Sequence, residues 1–271
     1  MAGFQLCRFD LENEVSTVKI GVIGANGFLG RVLVERFTFF GHVVSSITRE
    51  SYEHFKRQHF DVLVNTNGNS KRYWANQNPI EDLEASVRSV YQSVFDFEAE
   101  RYILISTSDV YPTQGVQHTR EEQEIDQPLS PYGFNKLLAE MVVKNYLTSY
   151  IILRCCAMIG KNLRKGVVKD IIDGTPLFVT LESRLQLITT VEVANVIQYL
   201  IDHKKEREVY NVAGRDSMTV KEIASMCGKE VKVRNDAVTD FHEMCVEKLT
   251  SEYSLKSSAE YLSDFLRGVD S

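Results

Sequence analysis

Tyr132 and Lys136 stand four residues apart in the segment Tyr132-Gly133-Phe134-Asn135-Lys136, which sets both on one helix face about one turn apart. An ammonium so placed stabilises a phenolate and draws a tyrosine down from its usual pKa of ~10 toward a working range. Such a tyrosine can give or take the proton of a carbonyl/alcohol pair while a hydride moves to or from a nicotinamide cofactor. Upstream, the turn Gly24-Ala25-Asn26-Gly27-Phe28-Leu29-Gly30 follows a short apolar run and precedes a segment of helical spacing. Glycines there permit a tight turn and close backbone approach, and the helix N-terminus receives a pyrophosphate. The spacing is Gly-x-x-Gly-x-x-Gly rather than Gly-x-Gly-x-x-Gly. Thr107 lies between the two motifs, at the end of another apolar run.

These groups need a frame that brings strand ends and helix starts together. Residues 18–23, 42–48, 60–66, 101–107 and 150–154 read as buried strands by length and composition. Helical spacing occupies 28–40, 80–98 and 132–146 between them. Strands alternating with helices imply an α/β fold, a Rossmann-like doubly wound parallel sheet covered on both faces. After Arg154 the rhythm breaks into 177–180, a helix over 191–202, a strand over 209–212 and a charged helical tail. The expected organisation is an N-terminal extension over 1–16 and a dinucleotide-binding domain over 17–155. A smaller substrate lobe over 156–271 follows, part of which, about 186–210, returns to the main sheet.

Bulk properties narrow the class further. The 271 residues can bury a full core, and 44% hydrophobic with 25% charged residues is ordinary for a globular protein. A net charge of −6 argues against a general nucleic-acid grip. No apolar run approaches a membrane span, and 1–16 lacks the apolar core of a secretory signal. Cys7, Cys155, Cys156, Cys227 and Cys245 are odd in number and lack metal-ligand spacing, so they read as reduced thiols of a cytoplasmic protein, with no metal expected.

The choice between NADP and NAD turns on the end of the second strand. An acidic residue there holds a ribose 2′-hydroxyl. Spacing from Gly24 offers Thr48-Arg49 instead, a hydroxyl beside a cation that suits a 2′-phosphate. NADP is therefore the expected cofactor, with Glu50 and NAD as the alternative.

Taken together, Gly24/Gly27/Gly30, Asn67-Gly68, Ser106-Thr107-Ser108-Asp109-Val110-Tyr111, Tyr132/Lys136 and Leu153-Arg154 resemble an extended short-chain dehydrogenase/reductase. That group holds nucleotide-sugar epimerases, dehydratases and 4-keto-sugar reductases. The resemblance spans about residues 18 to 265, with 186–194 similar to the family's later segment. It implies Thr107, four before Tyr111 and 25 before Tyr132, as the hydroxyl that orients the reacting oxygen, with Ser106 and Ser108 as fallbacks. It implies that Lys136 also holds the nicotinamide ribose and that Cys155 and Cys156 line the nicotinamide pocket. Family dehydratases carry Asp-Glu where Ser108-Asp109 stands here, and sugar-nucleotide decarboxylases carry Ser-Glu, so Asp109 is either a second acid/base or a loop carboxylate.

The resemblance also shows departures. Members that grip a nucleotide diphosphate often show Arg-Pro-x-Asn and then Gly-Pro, whereas here the run is Arg154-Cys155-Cys156-Ala157-Met158-Ile159-Gly160-Lys161. Ser183 and Gln186 are then the remaining polar substrate contacts, and Lys161, Arg164 and Lys165 the cations that could meet phosphates. The expected activity is an NAD(P)-dependent oxidoreductase or epimerase acting on a sugar, nucleotide-linked, with Tyr132 as acid/base. A decarboxylase or dehydratase using Asp109 and a non-catalytic dinucleotide sensor are the alternatives. A homodimer through the helices over 80–98 and 132–146 is implied by the resemblance.

Overall fold

The computed structural model describes residues 17–112, 118–125 and 129–269; the expected extension over 1–16 lies outside them. Six strands form the central sheet: β1 (Lys19–Ile23), β2 (Val43–Ile47), β3 (His59–Asn65), β4 (Glu98–Thr107), β5 (Tyr150–Cys155) and β6 (Glu208–Val212). Their order is β6-β5-β4-β3-β1-β2, every pairing parallel. The order in which strands are added reverses between β1 and β3, where a doubly wound sheet opens a crevice at the carboxyl ends of its strands.

Alternation along each strand explains the continuous apolar runs. On β4, Ile103 and Ile105 enter one core while Tyr102 and Leu104 enter the other; on β5, Ile151 and Leu153 oppose Ile152. Both faces are covered, so neither set can be polar. One face receives α1 (Phe28–Phe39), through Leu29, Leu33 and Phe37, and the neighbouring helix Thr190–Asp202. His42 Nε2 and Gln198 Oε1, 2.8 Å apart, tie that second helix to the start of β2. The opposite face receives Pro131–Tyr146 and a helical run over 79–96 that includes a π-type stretch at Glu84–Arg88.

The sheet rim is stepped. Ile23, Ile47 and Asn65 are level, whereas Thr107, Cys155 and Val212 are level with one another and stand three residues beyond Asn65 along β4. Strand β4 begins at Glu98, three residues before the apolar run, because its polar first residues pair with β3 outside the double-sided core.

Beyond β5 the chain builds small sheets. Leu177–Val179 pairs with Val233–Val238, and Arg184–Leu185 lies between Met218–Thr219 and Phe241–His242. The helices Val220–Met226 and Ser258–Arg267 both start on complete capping boxes, Thr219 with Glu222 and Ser257 with Glu260. Between these pieces, Thr190–Asp202 and β6 rejoin the main sheet. Among the described residues no helix is long and apolar enough to cross a membrane.

Candidate active site

A cleft of about 770 Å³ opens over the level ends of β1, β2 and β3. Its floor is the glycine turn. Gly24 has φ +81°, and a Cβ there would lie 2.7 Å from Thr66 Oγ1. A Cβ on Gly30 would come within 2.2 Å of the Gly24 carbonyl, so the missing side chain lets α1 settle onto the turn. Gly27 is the N-cap of α1; no side chain caps it and no acid occupies the first helical turn. Free N–H groups and a positive dipole end thus face the cleft, which fits a dinucleotide's pyrophosphate. Gly24, Asn26 and Gly27 line this space. Phe28, Leu29 and Gly30 do not: Leu29 and Gly30 are buried, and what these three bring is the backbone of the first turn.

At the end of β2, Thr48, Arg49 and Glu50 all line the cleft. The Glu50 carboxylate takes hydrogen bonds from its own N–H and the Thr48 hydroxyl, which holds its pKa below the usual range. A cation and an anion therefore stand side by side on the cleft wall at the end of β2. After β3, Asn67 N–H donates to Asn65 Oδ1 at 2.7 Å, and Gly68 turns with φ +110°. A Cβ on Gly68 would sit 3.0 Å from Lys136 Nζ, so that glycine leaves room for the ammonium.

Lys136 and Tyr132 lie on the helix Pro131–Tyr146, whose N-cap Ser130 accepts from Gly133 N–H at 3.2 Å. Gly133 itself is pressed against the 108–110 turn, where a Cβ would come within 2.1 Å of the Asp109 carbonyl. That contact brings Tyr132 to the end of β4, beside the Thr107 hydroxyl. The expected depression of the Tyr132 pKa is not what the structure shows. The phenol is 7% exposed, and burial raises its pKa, as does the Asp109 carboxylate; Thr107 and Arg72 act in the opposite sense. Lys136 Nζ stands 6.0 Å from the ring centroid, and burial lowers its pKa against the pull of Asp82 and Asp109. At neutral pH the phenol carries its proton, ready to be given rather than taken.

Asp109 is not a free loop carboxylate. Thr107 Oγ1 donates to its Oδ2 at 3.0 Å and accepts from its N–H at 3.2 Å. Its Oδ1 lies 3.1 Å from Arg72 Nε, an ion pair without hydrogen-bond alignment. Arg72 Nη1 reaches Asp240 Oδ2 at 3.1 Å and His242 Nε2 at 3.3 Å. Arg72 thus spans from the β4 end to the C-terminal lobe, beside the phenol.

Two expected substrate contacts are placed elsewhere, and two expected cofactor contacts are buried. Ser183 is fully buried; its hydroxyl accepts from Asp240 N–H at 3.1 Å and donates toward the Val238 carbonyl at 3.4 Å. Gln186 donates to the Gly214 and Met244 carbonyls, both at 3.0 Å, and accepts from Met244 N–H at 2.7 Å. With these polar atoms used by backbone, both residues brace the lobe and do not face the cleft. Cys155 and Cys156 are buried as well, with thiols turned to the Leu153 and Ala157 carbonyls. Burial pushes the Cys155 thiol up to about 12 and that of Cys156 well above its ordinary value, so neither is a nucleophile.

The residues that sequence reasoning missed are Arg72, Asp240 and Asp82. Asp82 is fully buried and accepts from Asn69 Nδ2 at 3.0 Å, Ser86 Oγ at 3.2 Å and Asn135 Nδ2 at 2.8 Å, locking the 68–78 segment behind Lys136. The Asn-Pro-x-x-Asp pattern over 78–82 was the available signal for Asp82; for the pair Arg72 and Asp240, 168 positions apart, there was none.

The sequence matches the NAD dependent epimerase/dehydratase family over residues 20–213, and the chain belongs to that family. A stretch of 157 residues is 23% identical to an uncharacterized protein of Methanocaldococcus jannaschii, covering 53% of this chain; the match spans about half, 48%, of that relative's length. In fold, the chain is similar to a dTDP-4-dehydrorhamnose reductase from Clostridium acetobutylicum, with TM-score 0.78 at 20% identity over 93% of this chain and 100% of the other. It is also similar to the Bacillus anthracis dTDP-4-dehydrorhamnose reductase in complex with NADP, with TM-score 0.75 and 17% identity over 93% and 98%. A third is MoeE5 in complex with UDP-glucose and NAD, with TM-score 0.77 and 18% identity over 93% and 98%.

Proposed function

We propose that the protein is an NADP-dependent oxidoreductase or epimerase of a nucleotide-linked sugar, with reduction of a keto-sugar its simplest reaction. The observation that carries this reading is the meeting of Tyr132, Thr107 and Lys136 beside the glycine-floored cleft. Gly24, Asn26, Gly27, Thr48, Arg49, Asn67, Gly68 and Lys136 would hold the cofactor, which supplies or accepts the hydride when bound. Tyr132, buried and protonated, donates its proton to the substrate oxygen, and Thr107 orients that oxygen by a hydrogen bond. Lys136 stabilises the phenolate left behind. The lobe over 156–271 would carry the sugar. NADP- and NAD-bound fold relatives support the cofactor class.

Titrating the purified protein with NADPH and NADH tests the first half. Tighter NADPH binding supports Arg49 on a 2′-phosphate; tighter NADH binding moves the weight to Glu50 and to epimerisation with internal recycling. Binding of neither would sink the reading.

The decarboxylase or dehydratase alternative needs Asp109 as an acid/base. Its engagement by Arg72 and Thr107 favours a positioning role instead, and Asp109→Asn distinguishes the two. Loss of turnover with an altered pH profile would restore the alternative. A non-catalytic sensor would keep cofactor binding yet show no keto-sugar turnover that Tyr132→Phe abolishes.

A cytoplasmic homodimer belongs to the same proposal. Tyr91, Phe95 and Tyr146 form one ring cluster, centroids 5.1–5.3 Å apart, and remain exposed along with Phe134 and Met141. This apolar face on the two outer helices would be covered by a second copy. Light scattering that finds a monomer at micromolar concentration would remove this part.

A further inference from the structure

Two groups of charges lie near Tyr132. One comprises Lys136, Lys71 on the cleft wall, and Lys165 from the loop after β5. Lys165 still reaches solvent, yet partial burial and the charges of Lys71 and Lys136 push its ammonium down to about 8. An anion such as a diphosphate would relieve that repulsion. The other comprises Arg72, with Asp109 on one arm and Asp240 on the other, both at 3.1 Å. The cation there is outnumbered by the carboxylates that hold it.

A ligand meeting this second group finds Arg72, whose side chain is 37% exposed and can donate to a hydroxyl oxygen, backed by two largely buried carboxylates. A ring hydroxyl is neutral and accepts from it without adding charge. A ring carboxylate would bring a third negative charge to a guanidinium already paired twice. We propose that Arg72, held between Asp109 and Asp240, is a specificity-determining residue whose subsite takes an uncharged, hydroxylated sugar ring and rejects one bearing a carboxylate. This proposal rests on the nucleotide-sugar reading above and adds what kind of sugar is selected.

UDP-glucose and UDP-glucuronic acid differ only at C6, hydroxymethyl against carboxylate, and form a matched pair of probes. Calorimetric titration of the full chain, saturated with its preferred nicotinamide nucleotide, is expected to show UDP-glucose binding about tenfold more tightly or better. Asp240→Asn removes one negative charge and keeps a group that accepts from Arg72, so the ratio should fall toward one. Arg72→Gln should weaken UDP-glucose several-fold while leaving nucleotide-cofactor binding intact, which also shows that the variant is folded. Equal affinities in the wild type, tighter UDP-glucuronic acid, or an unchanged ratio in Asp240→Asn would each overturn the proposal while leaving the nucleotide-sugar reading standing. Binding of neither probe, nor of dTDP-glucose, would overturn both.

Discussion

Two clusters, each of an arginine, a carboxylate and a tyrosine, flank the end of β4, and they are built for different purposes. In the first, Arg154 meets Glu140 through three hydrogen bonds of 2.7–3.2 Å and donates to Tyr111 Oη at 2.7 Å. Ser106 donates to the carboxylate at 2.6 Å, and Tyr111 Oη donates to Asn211 Oδ1 at 2.9 Å. Every member is buried. In the second, Arg72, Asp109 and Tyr132 sit beside the cleft, with the guanidinium partly in solvent and a carboxylate that only ion-pairs on one side. Glu140 and Tyr132 lie on the same helix, two turns apart. A sealed cluster with all partners supplied fixes β4, β5 and the helix relative to one another, whereas an open one keeps capacity for a ligand.

The largest effects should separate the clusters cleanly. Glu140→Ala strands the Arg154 charge in the core and is expected to cost about 3–5 kcal/mol in denaturant unfolding. Tyr132→Phe should leave stability within about 1 kcal/mol and lower turnover by roughly 10²–10⁴-fold, the range of a lost general acid. If Glu140→Ala proved nearly neutral, the sealed cluster would not be the brace described here. Because the Tyr132 phenol is held protonated by burial, the kcat of wild-type reduction should hold from about pH 6 to about pH 9. A sharp loss of rate on the alkaline side of that window, abolished in a variant that retains Tyr132, would remove the tyrosine from the role of donor.

The matching change in the sealed cluster is Tyr111→Phe. Burial raises that phenol to about 12, and its hydroxyl serves Arg154 and Asn211 only. Its loss leaves two buried groups short of a partner, an expected cost of about 1–3 kcal/mol with kcat nearly unchanged. A large fall in kcat at full stability would mean that the two tyrosines had been assigned the wrong way round.

How legible each cluster was in the sequence follows from distance along the chain. The sheet could be read because strands buried on both faces write themselves as apolar runs, as 60–66 and 101–107 do. The glycine turn and the pair Tyr132/Lys136 are local patterns tied to one turn or one helix face, and the structure brings them together with Thr107. The pKa of Tyr132 could not be read, because its sign depends on how much burial and which charges surround the ring. Ser183 and Gln186 are polar residues in a lobe segment, and nothing local distinguishes a brace from a contact. Arg72 gains its meaning only from Asp240, on a strand edge formed by residues from the far end of the chain.

That long-range partner offers the smallest of these tests, and one with a defined pH window. Contacts with His242 and Arg72 hold the Asp240 carboxyl at about 2, against an ordinary 3.8, although burial opposes them. A carboxylate whose pKa is depressed on folding adds stability above its unfolded pKa and loses it as the pH falls through the folded value. Asp240 therefore stabilises fully above about pH 5 and loses that contribution progressively, to nothing by about pH 1. With Arg72 partly screened by solvent, the expected contribution is about 1–2 kcal/mol. Unfolding of Asp240→Asn and wild type should differ by that amount at neutral pH and converge in acid. A gap that persists undiminished at about pH 2 would locate the effect in packing rather than in the charge, and would leave Arg72 tethered to one carboxylate instead of two.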